Sequence, residues 1–237
     1  DAADAPVTVH VTGFEPFDGA ASNASWDAVR FLPDTIGLVD GRADLTRELL
    51  PVTFAGAMAA SGDAVERLRP DVVVHVGLRS GAGAVMLETT ARNEAAARIP
   101  DNAGFQPIGE ELVPGGPSEL LATWPAAALV GRLGAAGLPV ARSEDAGLYV
   151  CNATLYAALR TASRLPSPDR PVVGFVHVPP RETMPSSRVV EVLRALIVEL
   201  ADLVRRRRAA RAGLGRLSVP RGDRVLRVGL TGGIGSG

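Results

Sequence analysis

Cys151 is the single cysteine of the 237-residue chain, and His10, His75 and His177 are its three histidines. A thiol nucleophile needs a base within hydrogen-bond reach, and that base needs a third group to hold its tautomer. Cys151 follows a turn at Asp145-Ala-Gly147 and a short apolar run at Leu148-Tyr-Val150, and Leu155, Ala158 and Leu159 recur behind it at helical spacing. It is therefore expected at or near a helix N-terminus, where unpaired N–H groups and the macrodipole lower a thiol pKa. The alternative is a small buried hydrophobe. His10 and His75 fall inside β-branched runs, and His75 reads as a buried, hydrogen-bonded histidine. His177 closes such a run just before Pro179 and Pro180, which leaves it as the available base. Glu88, at the end of the run from Val85, suits the orienting carboxylate better than acids on helix faces. The residues alone thus outline a cysteine hydrolase.

The elements that must carry these groups follow from periodicity. Strands are expected over residues 7–12, 45–54, 71–77, 85–87, 138–141 and 171–178, with Pro51 suggesting an edge or a bulge. Helices are expected over a short segment capped by Asn23 or Ser25, over 55–69, over 119–136, from 152 to about 163, and from Ser186 or Ser187 to the arginine run 205–208. The stretch 100–118 is rich in Gly and Pro and long for a connection, the kind of loop that often contacts substrate. Strands alternating with helices predict an α/β fold: a three-layer α/β/α sandwich with a mostly parallel twisted sheet. Ligands in such folds sit at the C-terminal ends of the strands, where Glu88, Cys151 and His177 all fall on this reading.

Composition narrows the partners. The chain is 46% hydrophobic and 22% charged, with a formal net charge of −1, so neither nucleic acid nor an anionic membrane is expected as the main partner. One cysteine precludes an intrachain disulfide, and the first residues lack a signal-peptide profile, so a cytoplasmic protein is expected. The spacings of a zinc site are absent, and the glycine-rich loop at residues 78–84 matches neither a dinucleotide nor a Walker pattern; no metal or cofactor is expected. All fixed positive charge comes from arginine, since the chain contains no lysine.

Four motifs then add a resemblance. Thr12-Gly-Phe-Glu-Pro-Phe17 with Asn23-Ala-Ser-Trp26, Glu88-Thr-Thr-Ala-Arg-Asn93 with Ala97-Arg-Ile-Pro-Asp-Asn102, the run from Ser143 to Cys151-Asn152 with Tyr156, and Phe175-Val-His-Val-Pro179 stand in the order of the pyroglutamyl peptidase I family. The chain resembles that family over roughly residues 7–204. The resemblance implies Cys151 as nucleophile, His177 as base and Glu88 as orienter, with an acyl-enzyme thioester formed as an N-terminal pyroglutamyl residue is cleaved from a peptide. It implies that Arg98 stabilises developing negative charge. Phe14 and Phe17 would line the lactam pocket, with Asn23, Leu78, Tyr149 and Val150 as further substrate contacts. It also implies a homo-oligomer. Where the family reads Gly-Gln-Ala-Gly-Gly-Arg, this chain reads Gly77-Leu-Arg-Ser-Gly-Ala82; Asp18 and Ala24 also depart from the pattern. Those changes keep open a second reading, an amidase for another small lactam or acyl-amide, beside a weakly catalytic binding module.

Residues 1–208 are expected to form the catalytic domain, and 209–237 a linker and tail. The tail's Arg224-Val-Leu-Arg-Val-Gly-Leu-Thr-Gly-Gly-Ile-Gly-Ser-Gly237 resembles the start of dephospho-CoA kinase. It stops before the lysine that would contact phosphates, which suggests a truncated fusion rather than a kinase.

Overall fold

Val-rich runs become strands buried on both faces, and everything else packs around them. The computed structural model describes residues 5–216. In chain order the elements are β1 (Val7–Phe14), α1 (Ala24–Val29), β2 (Thr35–Leu38), β3 (Gly41–Leu50), α2 (Phe54–Leu68), β4 (Val72–Leu78), β5 (Val85–Glu88), β6 (Thr90–Arg92) and β7 (Ala95–Ala96). There follow β8 (Ile108–Glu110), β9 (Glu119–Leu121), α3 (Ala126–Ala135), β10 (Val140–Ser143), α4 (Val150–Arg164), β11 (Val172–Val178) and α5 (Ser186–Arg216).

Seven strands form one sheet in the order β10-β5-β11-β4-β1-β3-β2. β3, β1, β4 and β11 run parallel, and β2 is antiparallel to β3. Helices α1, α3 and α5 cover one face, through a core that includes Val9, Val74, Val176, Leu193 and Leu196. Helices α2 and α4 cover the other, over Val73, Val173, Phe175, Leu155 and Tyr156. The expected three-layer α/β/α sandwich is thus observed.

Several boundaries differ from expectation. β3 ends before Pro51 and lies inside the sheet; the edge is β2, joined to it by a hairpin that opens on Asp40-Gly41. A single helix over 119–136 does not form. Glu119–Leu121 instead pairs with β6, and the helix starts only after Pro125, whose missing N–H and fixed φ suit the start of a helix. Helix α5 does not end at Arg208 but continues to Arg216. Arg208 grips Asp71 through both carboxylate oxygens at 2.7 Å and also donates to Ala5 O, so the arginine run closes the bottom of the sheet. The kinase-like segment lies outside the described residues.

His10 and His75 serve the core. His75, fully buried, bonds Thr12 Oγ1 through Nδ1 (2.8 Å) and Ser61 Oγ through Nε2 (3.0 Å). His10 bonds Thr46 Oγ1 at 2.9 Å. Burial, aided by Arg67, lowers the His10 pKa to about 4; burial, aided by His10, lowers that of His75 to about 3. The unfolded chain takes up these two protons near the ordinary histidine pKa of about 6.5, and the folded chain does not until far lower pH. Their contribution is therefore complete above about pH 6.5 and is lost as pH falls toward 4 and 3, at up to about 1.4 kcal/mol per pH unit for each histidine. Urea midpoints measured across that window should fall with pH, and His75→Gln should flatten the slope. An unchanged slope in the variant would show that His75 takes no part.

Candidate active site

The site lies at the C-terminal end of β4 and β11, on the face covered by α4. Cys151 is the second residue of α4, whose first turn has no side-chain cap, so orphan backbone N–H groups surround the thiol. Its Sγ rests over Gly77. A Cβ added there would stand 2.9 Å from Sγ and 2.7 Å from the Phe175 ring, so only glycine admits the sulfur this close to the sheet. Gly77 pairs with His177 across β4 and β11, and paired residues point to the same face. Phe175, two residues earlier on that face, lies tilted against the His177 ring at 4.8 Å between centroids. Cys151 and His177 are thereby brought over adjacent strands, with Phe175 beneath them.

Glu88 completes the group. Its Oε1 lies 2.8 Å from His177 Nδ1, with the carboxylate fully buried and the imidazole nearly so. That bond leaves Nε2 as the free ring nitrogen, on the sheet face that also carries Cys151. The route by which Glu88 arrives differs from the expected one. β5 runs antiparallel to β11, so the end of β5 is not at the mouth of the parallel strands; Glu88 pairs with Phe175 and reaches His177 along the diagonal. Beyond β5, the segment Ala122–Trp124 takes over the edge of β11, with Thr123 N donating to Val173 O. Trp124 Nε1 donates to the Glu88 carbonyl at 3.0 Å, and its indole lies flat over Gly174 on the opposite face.

The thiol's electrostatics correct another expectation. Burial first, and the Glu88 carboxylate second, push the Cys151 pKa up to about 12, against a lowering from the backbone N–H and Arg79. The helix N-terminus pulls in the anticipated direction and loses to desolvation. Cys151 stays a thiol at neutral pH until a base takes its proton.

The remaining expected residues divide. Phe17 stands 6.2 Å from Tyr149, and Tyr149 meets Phe54 edge-on at 5.5 Å, giving an aromatic wall beside the cysteine helix. Phe105 extends it against Phe54. Phe14 is buried instead, tilted against Phe175 at 6.3 Å beneath the site. Val150 is likewise a core residue. Asn23, expected as a polar substrate contact, is spent on the fold: Oδ1 accepts from Ser25 N and Oγ as the cap of α1, and Nδ2 donates to Glu15 O. The Leu78 side chain packs on the α1, α3 and α5 face, away from Cys151, so only its main chain faces the site. Arg98 is exposed and makes no ion pair among the described residues.

Four contributors were not singled out from sequence. Asp101, buried, accepts from Phe54 N, Ala103 N and Phe105 N and so holds two rings of the wall. Asn152 accepts from Arg92 N and donates to Arg92 O and Glu94 O, tying α4 to the strands after Glu88. Trp124 anchors Glu88, and Arg79 reaches its carboxylate. Asn152 and Asp101 stand inside motifs already quoted and were within reach of a motif reading; Trp124 and Arg79 carry no local signal. Among the described residues, no group of three or more His, Cys, Asp or Glu side chains is placed to hold a metal ion, and no helix is long and apolar enough to cross a membrane.

Comparison with known proteins agrees with this fold. A family model described as pyroglutamyl peptidase matches residues 7–198. The pyrrolidone-carboxylate peptidase of Clavibacter michiganensis subsp. michiganensis is 43% identical over 174 residues, covering 73% of this chain and 78% of that one. That of Thermococcus onnurineus is 36% identical over 198 residues, covering 80% and 96%. The crystal structure of Bacillus amyloliquefaciens pyroglutamyl peptidase I superposes with a TM-score of 0.76 at 31% identity, covering 83% of this chain and 97% of that one. The chain belongs to the pyroglutamyl peptidase family.

Proposed function

We propose that this protein is a cysteine omega-peptidase that removes an N-terminal pyroglutamyl residue from peptides. The observation that carries the reading is the buried Glu88–His177 pair set beside Cys151 at an uncapped helix start. His177 takes the thiol proton as Sγ attacks the pyroglutamyl carbonyl carbon. The resulting oxyanion faces the first N–H groups of α4, the geometry of an oxyanion hole. Collapse breaks the C–N bond, and His177 returns the proton to the departing amine, leaving a thioester. Water then attacks that thioester, with His177 again accepting the proton, and pyroglutamate leaves as the thiol is restored.

Pyroglutamate carries no ammonium group, so its recognition calls for apolar walls and amide hydrogen bonds rather than a counter-charge. The rings of Phe17 and Tyr149, with Phe54 and Phe105 behind, offer such a wall. Arg98 enters as an exposed cation on the loop whose Pro100 carbonyl accepts from the Tyr149 hydroxyl. Leu78 contributes through its main chain, which is compatible with the loss of a glutamine side chain at that position. A cytoplasmic location and a homo-oligomeric assembly belong to the same proposal.

A panel of N-acyl coumarin amides tests the substrate. The pyroglutamyl compound should be cleaved with a kcat/KM at least about a hundredfold above prolyl, glutamyl and acetyl analogues, because paired amide bonds to a lactam discriminate strongly. Preference for another acyl group would replace the substrate and retain the chemistry. Absence of cleavage across the panel would remove both.

A further inference from the structure

The carboxylate of the catalytic group is held from two sides. His177 Nδ1 takes Oε1 from β11, while Oε2 is buried without a partner among the described residues. A fully buried carboxylate with one idle oxygen is favoured by a second positive group close by. That group is Arg79, on the loop after β4. Its Nη1 lies 3.4 Å from Glu88 Oε1 and donates at 2.7 Å to the carbonyl of Asp145, in the turn that leads into the cysteine helix. Arg79 N in turn donates to Val178 O, next to the base. One residue thus touches the orienter, the strand of the base and the approach to the nucleophile. At Ala82, where the family pattern has an arginine, the loop offers no charge.

We propose that Arg79 is a positioning residue of the peptidase site, holding the Glu88 carboxylate against His177 while tying the Asp145 turn to that carboxylate. The inference rests on the functional reading above for its substrate, though not for its effect on the thiol. The other titratable and charged groups around Glu88 are His177 from β11 and Cys151 from α4. On the adjoining β10 and its following turn, Arg142 pairs with Glu144, and the Asp145 carboxylate lies 3.8 Å from Arg92. Arg79 also counts among the groups that lower the Cys151 pKa, in opposition to burial.

Removing the guanidinium withdraws a positive charge from the carboxylate and a repelling charge from any imidazolium. Both changes favour proton uptake by the pair. In Arg79→Ala, kcat should fall about tenfold to a hundredfold with KM little changed, and the acid limb of the kcat profile should move to higher pH. Alkylation of Cys151 by iodoacetamide at fixed pH should slow by about threefold or more, because the thiol loses a favourable charge. Arg79→Lys retains the charge and Arg79→Gln retains a donor for Asp145 O without it. Lysine should hold the pH profile near that of the unaltered protein, whereas glutamine should shift it as alanine does. Unchanged profiles in Arg79→Ala, or a glutamine variant that behaves as the parent, would overturn the proposal. The alkylation profile needs no substrate, so it still judges Arg79 if the unaltered protein fails to release pyroglutamate.

Discussion

Exchange of Cys151 for alanine is expected to lower kcat/KM for a pyroglutamyl amide by at least about 10⁴-fold while leaving the fold intact. In the proposed mechanism this change removes the nucleophile and with it the whole acyl-enzyme route, so that only the weak assistance of the oxyanion site and of binding would survive. Groups that act as a unit fail together, so the double variant Cys151→Ala with His177→Ala should be little worse than either single change. The cost to stability should be small, since the thiol is uncharged when folded and the change removes only its sulfur. Release of coumarin fluorescence measures the first effect and a thermal melt the second. Equal turnover by Cys151→Ala and the parent would exclude the thioester mechanism. A double variant roughly as much slower as the product of the single effects would mean that His177 and Cys151 act independently.

The second large effect is expected far from the thiol, at Gly174. A methyl group there would come within 2.3 Å of two Trp124 ring carbons, and Trp124 is buried against the sheet with no room to retreat. Overpacking of this kind costs about 1–3 kcal/mol or more, and Gly174→Ala should sit at the upper end. For a chain of this length that corresponds to a melting point lower by roughly 6–12 °C. Activity should fall as well, because an indole pushed aside no longer donates to the Glu88 carbonyl. The double variant Gly174→Ala with Trp124→Leu should recover part of the lost stability without recovering activity, a coupling that a double-mutant cycle isolates. An unshifted melting point in Gly174→Ala would show that the indole is not held as described.

Local pattern was a good guide where local physics decides. The β-branched runs around His10 and His75 marked both as strand histidines, and both are spent on hydrogen bonds to neighbouring hydroxyls, Thr46 for His10 and Thr12 for His75. The turn and helical spacing around Cys151 located a helix start one residue away from it. Strand direction was not legible. Nothing in Val85-Met-Leu-Glu88 says that β5 runs against β11, so Glu88 was assigned to the site by its motif and by a rule about parallel strand ends that does not apply to β5. The thiol's environment was likewise hidden, because the apolar cover over Cys151 comes from elements distant in sequence, and its desolvation outweighs the nearby helix terminus. The helix expected across residues 119–136 missed the interruption at Pro125, and the strand expected over 45–54 missed β2 and the start of β3, where Asp40-Gly41 opens a hairpin. Arg79 escaped notice because its partners lie 9 and 66 residues away in the chain.

The reversed strand also bears on how this gene can change. Because side chains alternate along a strand, Glu88 faces His177 only at one parity of the β5–β11 register. A single codon gained or lost within β5 would turn the carboxylate to the far face, beneath α3 and α5, and disable the site in one step. The loop from Arg79 to Ala84 has no such parity and can change length, provided the arginine stays anchored at the end of β4. Length variation among descendants of this sequence should therefore accumulate in that loop and be purged from the four residues after it.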